Sequence, residues 1–163
     1  MPVCAGVRQR YLWTVFLRAL SALLLLPMYF GAYVRQGVSS NVVLQCAMLI
    51  LLFAHSAFFF ALIAFNQRQP LLLRALSGLL GTIPALTAAA ACALAASMLG
   101  RAMPLPAAGM MGAVGALLAF GADRIIAITE LGGIRLRYTP LWISGLMEMG
   151  YLFMLLGAWL MAG

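Results

Sequence analysis

Three carboxylates, Asp123, Glu130 and Glu148, one histidine, His55, and ten arginines are the acid–base inventory of this 163-residue chain. All three carboxylates fall in the stretch Asp123 to Glu148, which also holds Arg124, Arg135 and Arg137. On a helix, Ser144, Glu148 and Tyr151 share one face. A carboxylate or imidazole flanked by apolar residues can take up and release a proton, or pair with a charged ligand. Glu148 and His55 are each set in such a run. Catalytic motifs are missing: there is no G-x-S-x-G, no H-E-x-x-H and no Gly-rich phosphate loop. That inventory argues against an enzyme.

Metal and redox chemistry have a thin basis. Cys4, Cys46 and Cys92 form no C-x-x-C pair and, being three, no disulfide framework. Cys46 and Cys92 are expected to pack as small hydrophobes. Met48 and His55 lie seven apart on one helix face and could suit copper(I), and His55 could offer a single haem ligand. Both are lesser alternatives, and no cofactor is assigned. The formal net charge of +7 does not make a nucleic-acid protein, because the arginines are scattered, without a basic stripe or binding motif.

The elements that must carry these residues follow from composition. Hydrophobic residues make up 66% of the chain and charged ones 8%. A soluble fold of this size would aggregate with so much apolar surface. Runs long enough to span a bilayer recur throughout. The sequence predicts an all-α polytopic membrane protein: a single domain, 1–163, of five transmembrane helices with short loops. The spans are predicted at about 11–34, 42–65, 71–100, 107–128 and 140–162. The first reads as an uncleaved signal anchor. With the N-terminus in the cytoplasm and the C-terminus outside, Arg8, Arg10, Arg18, Arg68, Arg74, Arg124, Arg135 and Arg137 fall on the cytoplasmic side. Arg35 and Arg101 fall opposite, a clear positive-inside bias. Four spans with one interfacial segment is the competing topology. The Arg-only, Ala-, Leu- and Gly-rich composition suggests a bacterial cytoplasmic membrane.

Depth follows from helix rise. Glu148 lies roughly 12 Å from the cytoplasmic end of its span, His55 roughly 15 Å and Arg18 roughly 10 Å, with Asp123 and Arg124 nearer the surface. A polar pocket lined by His55, Glu148, Arg18, Asp123 and Arg124, with Tyr151 beside Glu148, is therefore expected in the cytoplasmic half. In the bland reading the charges sit at headgroup level and Glu148 bonds to Arg18. Small residues recur every four positions along the third span, Ser77, Gly81, Ala85, Ala89, Ala93 and Ser97. A second ribbon, Ala108, Gly112 and Ala116, marks the fourth. Such ribbons let helices approach closely, within the chain or against a partner.

Five spans at this length resemble the tryptophan-rich sensory protein family, which binds porphyrins and sterols. That family's tryptophan-rich motifs are missing, with only Trp13, Trp142 and Trp159 present. The junction Ile134-Arg135-Leu136-Arg137-Tyr138-Thr139-Pro140-Leu141 resembles helix junctions of the copper-resistance D membrane family. One short arginine-rich loop identifies no family.

Two functions are expected. The first is a small transporter or channel protomer with a proton- or ion-linked site around Glu148 and His55, working as a homo-oligomer. The second is a non-enzymatic subunit, assembly factor or immunity-type protein that binds another membrane protein. The intramembrane acid favours the first.

Overall fold

The structure is a computed structural model that describes residues 3–35, 41–65, 70–131, 133–134 and 137–162. The regular structure of the described residues is all helical, without strands. The helices are α1 (Val3–Arg35), α2 (Asn41–Phe65), α3 (Leu71–Met98), α4 (Leu105–Ile126) and α5 (Thr139–Ala162). Each is long and apolar enough to cross a membrane. Cys4, Arg8 and Arg10 lie on α1, but their side chains are outside those described. Arg68 and Arg135 are outside the described residues altogether.

Helix α4 overruns the end expected at residue 128. It continues as a π-helical turn, Ala127–Leu131. Gly133 then takes a left-handed φ of 64°, and the Ile134 N–H donates back to the Ile128 carbonyl at 3.4 Å. The left-handed Gly133 turns the chain back so that this N–H satisfies a carbonyl of the last turn, which ends the helix there.

Helix α3 is the hub. Helices α1, α2 and α4 pack on it, and α5 packs on α4. Its ribbon explains this: Ser77, Gly81, Ala85, Ala89 and Ala93 are all buried. Thr87 reinforces the contact with α1: its one hydroxyl proton is shared between the Ala22 carbonyl and the Ile83 carbonyl of α3, both at 3.0 Å. The α4 ribbon, Ala108, Gly112 and Ala116, is buried too, yet Gly112 faces Tyr29 of α1 and Gly157 of α5. The α3–α4 approach is made one residue away, where Gly109 lies against Ala95 and Met98. Glycines of α5 that form no four-residue ribbon, Gly150 and Gly157, complete the close α4–α5 seam.

The outer surface is apolar. Phe53, Phe60, Leu155 and Trp159 are each more than two-thirds exposed. In water such a surface would aggregate; in lipid it costs nothing. Cys46 is part of it: it is exposed, not packed as expected, because the face of α2 that carries it points away from α3. Cys92 is partly buried.

Candidate functional site

Asp123 and Arg124 are neighbours in sequence, so α4 directs them about 100° apart. Asp123 turns toward α1 and accepts from Arg18 Nη1 at 2.7 Å in a salt bridge, both side chains under one-fifth exposed. Arg124 turns the other way and donates from Nη1 to His55 Nδ1 of α2 at 2.5 Å. His55 Nε2 lies 2.9 Å from the Gly78 carbonyl of α3. A guanidinium has no acceptor to offer, so Nδ1 must accept and Nε2 must carry the proton to Gly78. The geometry thus fixes His55 as the neutral Nε2–H tautomer. One polar chain, Arg18–Asp123–Arg124–His55–Gly78, ties four helices together.

The surroundings of Arg124 are aromatic. Its guanidinium carbon lies 4.7 Å from the ring centre of Phe120, 5.2 Å from Phe59 and 5.4 Å from Phe58. These distances suit cation–π attraction, which is worth about 2 kcal/mol when desolvated. Arg124 Nε is buried without a hydrogen-bond partner among the described residues. The Phe58-Phe59-Phe60 cluster therefore divides its labour: Phe58 and Phe59 line the guanidinium, and Phe60 faces outward. Gly81 makes the crossing of α3 possible. A Cβ there would sit 2.7 Å from His55 Cε1 and 3.0 Å from Arg124 Nη2.

Two small cavities flank the Arg18–Asp123 pair. One, of about 20 Å3, is lined by Tyr11, Ser77, Gly81 and Pro84 with Arg18, Asp123 and Arg124. The other, of about 30 Å3, is lined by Ser21, Thr87 and Tyr151 with the same ion pair. Each has room for a water molecule and enough polar neighbours to hold one. Pro84 borders both, and its ring removes the hydrogen bond that would satisfy the Leu80 carbonyl beside the first.

No protein-family model, curated protein or solved structure matches this chain.

The single pocket expected from depth is divided. Arg18, Asp123, Arg124 and His55 come together. Glu148 is exposed on α5, where it accepts from Ser144 Oγ at 2.8 Å, one helical turn away. It shares with Arg18 an open groove of about 550 Å3, also lined by Glu130, Ser144 and Tyr151. Depth alone could not foresee this, since it carries no information on helix rotation. Arg18 bonds Asp123, not Glu148. Gly81 adjoins the polar chain, while Ala85 and Ala89 continue the same buried face of α3. Both nitrogens of His55 are engaged, and Met48 packs with the apolar core around Tyr29 and Tyr33. The Met48–His55 pairing considered for copper(I), and a haem on His55, would each require those bonds to break. Sequence reasoning missed Tyr11, Tyr29, Phe58, Phe59 and Phe120 as parts of polar features. Their only signal was an aromatic residue within reach of a buried charge.

Proposed function

We propose that this chain is a small transporter or channel protomer of a bacterial cytoplasmic membrane, with a proton- or ion-linked polar site in the cytoplasmic half. The N-terminus lies in the cytoplasm in this reading, which rests on the arginine distribution. One observation carries it: Arg18 belongs both to the buried chain ending at His55 and to the open groove of Glu148. An ion or proton arriving at Glu148 has a charged residue to meet at the groove floor, and water-sized cavities lie beyond it. Buried ionisable residues in transmembrane helices serve such paths by default. A second copy of the chain completes the path in this reading.

The alternative is a subunit that docks on another membrane protein through its small-residue ribbon. Against it, Ala85 and Ala89 are fully buried inside this chain's own bundle, and so offer a partner no surface.

The test is proton or ion flux into vesicles that contain the purified protein and a trapped pH- or ion-sensitive dye. Asp123→Asn and Glu148→Gln should each lower flux at least tenfold at normal protein levels. Flux equal to the wild type in both variants would end the proposal. A stoichiometric second protein, retained by chain extracted gently from its own membrane, would establish the subunit reading instead.

A further inference from the structure

Helix α1 packs on α3 and α5 packs on α4, which leaves a cleft of about 610 Å3 between α1 and α5. Leu25, Met28, Ala32, Leu155, Ala158 and Met161 make its walls apolar. Two residues break that pattern. Tyr29 lines the cleft and is only 6% exposed, and its hydroxyl has no hydrogen-bond partner among the described residues. Arg35 lines the cleft from the last turn of α1, exposed and without an ion pair among the described residues.

A phenol hydroxyl open to an apolar medium favours a ligand that brings it an acceptor. A guanidinium at the end of an apolar groove suits an anion, phosphate above all. Leu25 and Arg35 are separated by roughly 15 Å of helix, and Tyr29 lies roughly 9 Å below Arg35. A second copy's helix meets neither residue along its length, because its backbone carbonyls are already bonded within the helix. We propose that the cleft holds an acyl chain of one anionic glycerophospholipid, its phosphate on Arg35 and an ester carbonyl taking the Tyr29 hydroxyl. This site is independent of the polar chain at Arg18, so loss of the transport reading leaves it standing.

Native mass spectrometry of the full chain, in micelles loaded with equal amounts of phosphatidylglycerol and phosphatidylcholine, tests it. The wild type should retain one phosphatidylglycerol per chain. Gly31 lines the cleft, and a Cβ there would meet nothing within 4 Å. Gly31→Leu therefore starts its side chain in open space on the cleft wall and should lower retention at least tenfold. Ala158→Phe fills the cleft from the opposite wall and should do the same. Arg35→Gln should abolish the preference for phosphatidylglycerol. Undiminished retention in both filled variants, equal release of the two lipids from the wild type, or a neutral amphiphile in the cleft would overturn the proposal.

Discussion

Arg124 reaches His55 over the bare backbone of Gly81. Helices α2 and α4 both pack on α3, and a side chain at position 81 would stand between the two groups. The cation and imidazole meet because α3 carries no Cβ there. That contact holds the histidine in one tautomer, with its proton directed to Gly78.

The tautomer is directly observable. Nitrogen NMR of ring-labelled protein at neutral pH should show His55 with a protonated Nε2 and an unprotonated Nδ1. Arg124→Leu should release the restriction and let both tautomers appear. A wild-type spectrum of the Nδ1–H form would refute the hydrogen-bond assignment.

Gly81→Ala should destabilise by about 1–3 kcal/mol, the usual cost of overpacking, because His55 and Arg124 are each held by other contacts. Gly78→Ala is the control: its Cβ would touch only the Phe59 ring, at 3.4 Å. Denaturant titration in detergent micelles should rank Gly81→Ala well below Gly78→Ala. Equal stability would mean that the two side chains move aside freely.

The Arg18–Asp123 pair should behave as a shielded ion pair. Asp123→Leu leaves a cation without its partner and should cost about 3 kcal/mol. The double variant Arg18→Leu/Asp123→Leu should recover most of that loss. Additive losses in this double-mutant cycle would show that the two residues act separately.

At the α4–α5 seam, the obstacle is backbone, which cannot swing away. A Cβ on Gly115 would lie 2.5 Å from the Gly150 carbonyl and 2.8 Å from the Met154 nitrogen. Gly115→Ala should therefore detach α5, read as protease cleavage in the 132–138 connection. Gly145→Ala, with nothing within 4 Å, should leave cleavage unchanged and gain up to about 1 kcal/mol of helix propensity.

Glu148→Gln should alter stability by less than about 0.5 kcal/mol, as for other exposed substitutions. Among the described residues it accepts a hydrogen bond only from Ser144, one turn away. Any loss of flux in this variant would then report on function and not on folding. A large fall in stability would instead give Glu148 a structural role.

Much of this architecture was legible in the chain itself. Five apolar runs of bilayer length, punctuated by Gly, Pro and Arg, dictate five helices, because backbone polar groups in an apolar medium must bond within their own segment. The four-residue spacing from Ser77 to Ala93 marked the buried face of α3, since small residues on one stripe permit close approach. Which polar residues meet was decided only in three dimensions. Depth from a helix end follows from counting residues, but rotation depends on packing against neighbours, and that separated Glu148 from His55. Asp123 and Arg124, adjacent in sequence, serve different helices for the same reason. The α1–α5 cleft has no sequence signal at all: it exists because α1 chose α3, and α5 chose α4, as the better-packed partner.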